Sequence, residues 1–195
     1  MKKHLIITGF DPFGGAEVNP SWLAVQTLPD VVGDCLLHKL RIPTVFGAGA
    51  RQVLDLAERV KPDGILCVGQ AGGRSAVTPE RIAVNIRDAR IPDNAGNQPV
   101  GEFVAEDGPA AYFSAVPVRK MAQAITDAGL PGTVSNSAGA FVCNDVLYTL
   151  LHHYHGTNTK IGFIHVPYLP EQGSPSLPLK DTVKALTEAI LAMGL

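Results

Sequence analysis

Cys143 is the residue of this sequence whose position most directly suggests reactivity. It follows a run of small residues, 135–140, and lies at the start of an apolar stretch with helical spacing that extends to Leu151. The sequence therefore predicts Cys143 in the first turn of a helix. There, unpaired backbone N–H groups and the helix dipole stabilise a thiolate, lower the pKa of the thiol and can bind an oxyanion. The alternative is a buried, inert cysteine, which is the commoner role of this residue type.

A histidine and a glutamate occupy comparable positions. His165 ends the apolar stretch 161–166, and Glu80 follows the glycine-rich loop 69–75 at the start of another strand-like stretch. A lone histidine at a strand end is often structural, and Glu80 could equally be an exposed residue paired with Arg81 or another surface cation. However, a cysteine at a strand-to-helix turn and a histidine at a strand end are also the components of a thiolate–imidazole pair.

A third segment, residues 9–15, reads Gly-Phe-Asp-Pro-Phe-Gly-Gly and directly follows the first apolar stretch. It places the large apolar side chains of Phe10 and Phe13 on a flexible loop, although both rings could instead fill core space beneath a turn. The spacing does not match the dinucleotide-binding pattern G-x-G-x-x-G, and the loop lacks the Lys-Ser/Thr pair of a P-loop, so nucleotide binding has little support. The three histidines within 152–155 have no accompanying cysteine or carboxylate that completes a ligand set, which argues against zinc.

For these loops to meet at one site, the strands that precede them must end at the same edge of a sheet. The predicted strands are 5–8, 36–42, 64–68, 132–135 and 161–166, and the predicted helices are 21–28, 46–60, 117–128 and 177–193, with a further helix at Cys143. This alternation predicts an α/β fold with a single domain over residues 1–195, a three-layer α/β/α sandwich with a mixed, largely parallel sheet. In such sheets the loops at the carboxyl ends of the strands line the ligand crevice. Residues 81–111 break the alternation and are predicted to form an inserted hairpin.

Composition and charge exclude several classes of protein. Of the 195 residues, 46% are hydrophobic and 17% are charged, with a formal net charge of −2. These values favour one ample core and argue against a disordered tail or a basic nucleic-acid-binding face. The apolar run 5–7 is too short for a signal peptide, and no stretch of about 18 apolar residues predicts a membrane span. We expect a cytoplasmic protein with neither a nucleic-acid nor a membrane partner.

The three cysteines have no C-x-x-C spacing and cannot all pair with one another. This pattern predicts free thiols in a reducing compartment. Cys35 and Cys67 lie in or beside apolar strand-like stretches and fit packing roles. Cys143 is then the one cysteine whose predicted position suggests chemistry.

Two extended segments resemble the pyroglutamyl peptidase type I family of cytosolic cysteine peptidases, also called pyrrolidone-carboxylate peptidases. The first is 69–85, with Thr78-x-Glu80-Arg81-Ile82-Ala83-x-Asn85 at its centre, and the second is 130–144, with Ser135-x-Ser137-Ala138-Gly139-x-Phe141-Val142-Cys143-Asn144. The loop Gly9-Phe10-x-Pro12-Phe13-Gly14 and the segment His165-Val166-Pro167 lie at matching positions. The resemblance extends from about residue 3 to the C-terminus.

The resemblance implies a phosphorylase- or hydrolase-like fold and an exopeptidase without a cofactor, which hydrolyses the bond after an N-terminal pyroglutamyl (5-oxoprolyl) residue. It assigns Cys143 as the nucleophile, His165 as the general acid/base and Glu80 as the group that orients the imidazole, with a thioester intermediate. Backbone N–H groups near Cys143, aided by Arg90, would hold the oxyanion. The family also implies a homo-oligomer, either a dimer or a tetramer.

The implied substrate is a peptide whose first residue is a neutral lactam, so its pocket needs apolar walls with one donor and one acceptor. The residues expected to form it are Phe10 and Phe13 as the two faces, Asn19 and the backbone or side chain of Gln70 as hydrogen-bonding groups, and Phe141 and Val142 as the remaining wall. Such a pocket would reject an ordinary N-terminal ammonium, whose desolvation without a partner costs several kcal/mol. Two other functions stay open from the sequence alone: phosphate-dependent cleavage of a nucleoside on a shared fold, and binding of a lactam without hydrolysis.

Overall fold

The computed structural model describes residues 2–195. In chain order the elements are β1 (Lys3–Phe10), α1 (Pro20–Thr27), β2 (Val31–Val32), β3 (Cys35–Ile42), α2 (Ala48–Val60), β4 (Gly64–Gln70), β5 (Thr78–Pro79), β6 (Ile82–Val84), β7 (Ala111–Phe113), α3 (Val118–Asp127), α4 (Val142–His153), β8 (Lys160–Val166) and α5 (Leu179–Leu191). No helix within this range is long and apolar enough to cross a membrane.

Six strands form one mixed sheet in the order β2-β3-β1-β4-β8-β5. The four central strands, β3, β1, β4 and β8, run parallel, and the short outer strands β2 and β5 pair antiparallel with their neighbours. The central strands are joined through helices, as parallel neighbours require. The carboxyl ends of β1, β4 and β8 therefore lie side by side at one edge.

Two apolar cores lie on the two faces of this sheet, because successive residues of a strand point to opposite sides. In β1, Leu5 and Ile7 belong to the core beneath α1, α3 and α5, whereas Ile6 and Phe10 belong to the core beneath α2 and α4. This arrangement confirms the predicted single-domain, three-layer sandwich with a largely parallel sheet.

The predicted strand 132–135 is wrong as a continuous strand. The segment runs parallel to residues 77–81, but it forms two isolated bridges, Val77 with Gly132 and Glu80 with Ser135. The N–H of Val77 donates to the carbonyl of Pro131, and that of Arg81 to the carbonyl of Ser135, at 2.8 Å each. Between them stands Pro79, which has no N–H to donate, so the ladder is interrupted at that residue.

The inserted hairpin is confirmed as an excursion from the main sheet. β6 and β7 pair antiparallel and form a separate two-stranded sheet. In β6 the buried residue is Ala83, whereas Ile82 and Val84 are half-buried. Asp93 closes the turn between these strands, since its Oδ1 accepts the N–H groups of Ala95 and Asn97 at 2.9 and 2.8 Å.

Candidate active site

His165 is held between two strands near the carboxyl end of β8. Gly69 of β4 lies opposite it on one side and Thr78 of β5 on the other. Only 4% of His165 is exposed, and its ring packs against that of Phe163 with the centroids 4.8 Å apart. The sheet, rather than a loop, therefore fixes the position of the imidazole.

Glu80 is completely buried and contacts that imidazole. Its Oε1 accepts a hydrogen bond from His165 Nδ1 at 2.7 Å and a second one from Arg74 Nη1 at 2.6 Å. The sequence left open an exposed glutamate paired with Arg81 or another surface cation, and that alternative is wrong. The cation that pairs with Glu80 is Arg74, whose side chain is 31% exposed.

The protonation states of this pair follow from burial and from their mutual contact. Burial by itself raises the pKa of the Glu80 carboxyl, but the effects of His165, Ser135 and Arg74 together outweigh burial, and the pKa lies below its ordinary value. Burial lowers the pKa of His165, Glu80 partly compensates, and Arg74 lowers the pKa further. At neutral pH the carboxylate is thus ionised and the imidazole neutral. Nδ1 carries the proton that Glu80 accepts, which leaves Nε2 as a base.

Cys143 is the second residue of α4, in the first turn of a helix as the sequence predicts. The two residues that follow it are buried and anchor this turn. Asn144 accepts the N–H of Val84 at 2.9 Å and donates to the carbonyl of Val84 at 2.8 Å. Asp145 accepts from Arg87 Nε at 2.6 Å. The end of α4 that carries Cys143 is therefore tied to β6 and to the residues just beyond it.

The pKa of the Cys143 thiol differs from the expectation. Burial raises it to about 12, and the negative charge of Glu80 and the nearby Cys67 act in the same direction, with Arg74 opposing them. This direction is opposite to the expected one, because desolvation and the charge of Glu80 outweigh the lowering effects of Arg74 and of the Cys143 N–H. The resting site holds a thiol and a neutral imidazole. Both side chains face one cavity, and within residues 2–195 no hydrogen bond joins them.

The first turn of α4 also offers hydrogen-bond donors. The first N–H of the helix with an intrahelical partner is that of Asp145, which donates to the carbonyl of Phe141 at 3.1 Å. In the described part of the chain the preceding N–H groups of Val142 and Asn144 donate to no backbone or side-chain acceptor, and the N–H of Cys143 contacts only its own sulfur atom. A helix N-terminus of this kind can bind a developing oxyanion beside the sulfur atom.

A glycine allows the thiol to lie close to the sheet. A Cβ atom at Gly69 would lie 3.0 Å from Cys143 Sγ and 2.8 Å from the ring of Phe163. Both distances are shorter than ordinary van der Waals contact. Residue 69 must therefore lack a side chain if the sulfur atom is to stay next to the end of β4.

A cavity of about 320 Å³ opens at this edge of the sheet and brings most of the expected residues together. The predicted site residues that line it are Phe10, Phe13, Asn19, Gln70, Phe141, Cys143 and His165. The Phe13 and Phe141 rings face each other at a centroid distance of 6.3 Å. The volume lies in the range of small-molecule sites.

The two amide side chains of the cavity are partly occupied by other contacts. Asn19 Oδ1 caps α1 by accepting the N–H of Ser21 at 3.0 Å, and Asn19 Nδ2 donates to the carbonyl of Asp11 at 2.9 Å. Gln70 Oε1 accepts from Gln172 Nε2 at 3.2 Å. Each side chain keeps N–H donors for a ligand, while its carbonyl oxygen already accepts a hydrogen bond.

Two predicted site residues lie elsewhere. Arg90 is exposed and lines a larger neighbouring groove of about 1040 Å³, which shares Phe13 and Gln70 with the cavity. Val142 is fully buried and packs in the core beneath α2 and α4. The structure thus brings neither side chain to the cavity that holds Cys143 and His165.

Arg74 is the functional residue that the sequence analysis missed. It lines the cavity, pairs with Glu80 and donates to Thr78 Oγ1 at 2.6 Å. The feature of the sequence that could have identified Arg74 is its position as a cation near the end of the glycine-rich loop that follows a central strand. Within residues 2–195 there is no group of three or more metal-ligating side chains.

The chain matches one protein-family model almost throughout. Residues 3–194 match the model described as pyroglutamyl peptidase. The protein is 50% identical to the pyrrolidone-carboxylate peptidase of Lactobacillus johnsonii, over 97% of this chain and 91% of that protein. It is 52% identical to the protein of the same name from Levilactobacillus brevis, over 97% and 96% of the two chains.

Solved structures show the same similarity. The pyroglutamyl peptidase I of Bacillus amyloliquefaciens superposes with a TM-score of 0.94 at 45% identity, covering 98% of this chain and 97% of that one. The pyrrolidone carboxyl peptidase of Thermococcus litoralis superposes with a TM-score of 0.94 at 37% identity, covering 98% and 93%.

Proposed function

The chain belongs to the pyroglutamyl peptidase family, and from this premise we propose that it removes N-terminal pyroglutamate from peptides with a Cys143–His165–Glu80 triad and a thioester intermediate. The observation that carries the proposal is that Cys143 and His165 line one cavity, while Glu80, which is completely buried, contacts the imidazole. Glu80 holds the Nδ1 side of the imidazole at 2.7 Å, and the thiol and the imidazole face the same space.

In the acylation step the proton of Cys143 moves to His165, and the electron pair of the sulfur atom moves to the substrate. Cys143 gives its proton to Nε2 of His165, and its sulfur forms a bond to the carbonyl carbon of the pyroglutamyl group. The carbonyl π electrons move onto oxygen, where the free N–H groups at the start of α4 stabilise the oxyanion. The oxyanion then collapses, the C–N bond breaks, and the leaving nitrogen takes the proton from Nε2. The products are a thioester and a peptide with a free amine.

Hydrolysis of the thioester repeats these transfers with water. His165 accepts a proton from a water molecule, the water oxygen bonds to the thioester carbon, and the C–S bond breaks. Sulfur takes the proton back, and pyroglutamate leaves as the free acid. Throughout, ionised Glu80 stabilises the transient imidazolium and fixes the proton of Nδ1, without itself becoming protonated.

The cavity supports selectivity for a neutral first residue. Its walls include the aromatic side chains of Phe10, Phe13 and Phe141, and its one charged side chain within the described part of the chain is the cation Arg74. No carboxylate lines it there, so the ammonium of an ordinary N-terminal residue would be desolvated without a partner, at a cost of several kcal/mol. A lactam has no such charge, and it can accept hydrogen bonds from the amides of Asn19 and Gln70.

The direct test is turnover of pyroglutamyl-aminomethylcoumarin under reducing conditions. We expect release of the fluorophore, and no release from the corresponding glutaminyl compound with its free amine. Absence of turnover with the pyroglutamyl compound would contradict the proposed function. Phosphate-dependent cleavage of a nucleoside would establish the nucleoside-cleaving alternative instead, and lactam binding without hydrolysis would establish the binding module.

Three cysteine variants test which sulfur atom is the nucleophile. Cys143→Ser should abolish turnover, whereas Cys35→Ser should retain it because Cys35 lies in β3 within the other core. Cys67→Ala is the closer control, since this buried thiol lies on the same face of the sheet as Cys143. Inactivity of Cys67→Ala in a folded protein, with an active Cys143→Ser, would show that the assignment is wrong.

A further inference from the structure

Arg74 connects the three segments that carry the catalytic side chains. Its Nη1 donates to Glu80 Oε1 and to Thr78 Oγ1, each at 2.6 Å, and its Nη2 donates to the carbonyl of Ser137 at 3.4 Å. Thr78 in turn donates to the carbonyl of His165 at 3.4 Å. One guanidinium thus joins the start of the glutamate strand, the loop before α4 and the end of β8.

The two hydrogen-bond donors that contact Glu80 share one carboxylate oxygen atom. His165 Nδ1 and Arg74 Nη1 both donate to Oε1, while Oε2 is buried and has no hydrogen-bond partner within residues 2–195. The hydroxyl of Ser135, which is close enough to lower the pKa of this carboxyl, donates to the carbonyl of Ser137 at 3.1 Å instead. Arg74 is therefore the permanent positive charge that faces the carboxylate, and the imidazole is the titratable one.

This arrangement matters because the imidazole must begin each turnover neutral. A buried carboxylate at 2.7 Å favours the imidazolium, which cannot accept a proton from Cys143. A guanidinium on the same carboxylate oxygen offsets part of that negative charge and repels a proton on the ring. The ionised groups that act on His165 are these two, Glu80 and Arg74.

We propose that Arg74 is a positioning residue that sets the protonation state of His165 through the shared Oε1 of Glu80. The guanidinium keeps the imidazole neutral at the pH where the thiol must lose its proton. It thereby makes the imidazolium formed during acylation a stronger acid toward the leaving amine. The inference rests on the proposed function, and it concerns a residue that does not itself contact the reacting atoms.

The test compares Arg74→Gln and Arg74→Lys with the wild-type protein. Loss of the charge in Arg74→Gln should raise the pKa of His165 by about one pH unit, and it should move the acid limb of kcat/KM upward by the same amount. Arg74→Lys retains the charge and should keep the limb close to that of the wild type, even if kcat falls because a lysine cannot make all three contacts. Arg119→Gln removes a charge from the exposed start of α3 and is the matched control.

NMR titration of the His165 ring gives a readout that does not depend on turnover. The resonances are identified by their loss in His165→Asn, and circular dichroism establishes that each variant is folded. An unchanged His165 titration in Arg74→Gln, with kcat/KM lowered equally at every pH, would overturn the proposal and leave Arg74 as a simple structural clamp. If Arg74→Gln does not fold, an upward shift of the acid limb of kcat/KM in Arg74→Lys would also overturn the proposal. Absence of turnover in the wild type with a normal His165 titration would instead count against the proposed function alone.

Discussion

At the scale of single residues, one carboxylate governs the chemistry of two neighbours. Glu80 stabilises the imidazolium of His165 and, by the same negative charge, raises the pKa of Cys143. The charge that assists the histidine after proton transfer therefore also holds the proton on the thiol before it. Arg74 reduces both effects, so the three ionisable groups and the guanidinium act as one unit.

The pH dependence of turnover follows from the low pKa of His165. Burial lowers that pKa from its ordinary value of 6.5, so the imidazole stays neutral down to a pH below 6.5. Activity should be lost as the pH falls through the folded-state pKa, because a protonated ring cannot accept the proton of Cys143. The acid limb of kcat/KM, measured with pyroglutamyl-aminomethylcoumarin, should have its midpoint below pH 6.5.

A second variant tests how Glu80 affects the acid limb of kcat/KM. Glu80→Gln removes the charge that raises the pKa of His165, so the limb should move to lower pH while kcat falls about a hundredfold or more. The shift is opposite in sign to that expected for Arg74→Gln. A limb that stayed in place in Glu80→Gln would show that the observed pKa belongs to another group.

Gly69 gives a steric prediction. In Gly69→Ala the new methyl group would lie 3.0 Å from Cys143 Sγ and 2.8 Å from the ring of Phe163, so the sulfur atom must move. We expect kcat/KM to fall on the order of 10- to 100-fold, since displacements of about 1 Å have effects of that size. Steady-state kinetics, with the melting temperature as a check on folding, measures this. Wild-type kinetics in Gly69→Ala would contradict the close contact.

At the scale of elements, buried side chains outside the proposed triad hold Cys143 in place. The first turn of α4 is tied to β6 by Asn144 and to Arg87 by Asp145. α4 has no side-chain cap, so these lateral contacts, rather than a capping residue, determine where the helix begins. The inserted hairpin thereby fixes the position of the first turn of α4.

Asn144→Ala tests this support. The substitution leaves the N–H and carbonyl of Val84 and the carbonyl of Ile86 without their partner, and should lower the free energy of unfolding by about 2–4 kcal/mol. It should also lower kcat, because the start of α4 is no longer fixed. Urea denaturation and kinetics measure the two effects. Thr149→Ala, on the same helix, should change neither, and equal behaviour of the two variants would contradict the anchoring role.

The sequence predicts most of the elements well, and the contacts between them less well. Apolar periodicity locates the central strands and helices because each is buried on a regular face. The same periodicity cannot show that Pro79 interrupts the pairing of 132–135, since that depends on which strand lies alongside. Nor can it identify Arg74 as the partner of Glu80 or place Arg90 in the outer groove. The pKa of Cys143 was misjudged because helix position is local, whereas desolvation depends on the whole site.

At the scale of the whole molecule, histidines whose pKa is lowered by folding couple stability to pH. His38 lies in β3, with its Nε2 2.9 Å from Nδ1 of His4 in β1. Burial lowers the pKa of His38, and the neighbouring His4 lowers it further. His165 is shifted in the same direction. The unfolded chain therefore binds more protons than the folded protein as the pH falls below 6.5, and stability is lost in that range.

His38→Gln should make stability less sensitive to acid. We expect the urea midpoint of the wild type to fall between pH 7 and pH 5, and to fall less in His38→Gln because one lowered pKa has been removed. His153→Gln, at an exposed position of α4, is the control. If the midpoint of His38→Gln fell as steeply as that of the wild type, the histidine pair would not contribute to the acid sensitivity. Below pH 4.5 the lowered pKa of Glu80 adds a further loss of stability.

The protonated resting state of Cys143 also bears on how long the enzyme survives. Peroxides and alkylating agents attack thiolates far faster than thiols. With a thiol pKa of about 12, the unoccupied site exposes very little thiolate at neutral pH. The sulfur atom becomes strongly nucleophilic only when its proton moves to His165 with an acyl group in place. Between turnovers it should therefore be oxidised to sulfenic acid more slowly than a permanently ionised cysteine would be.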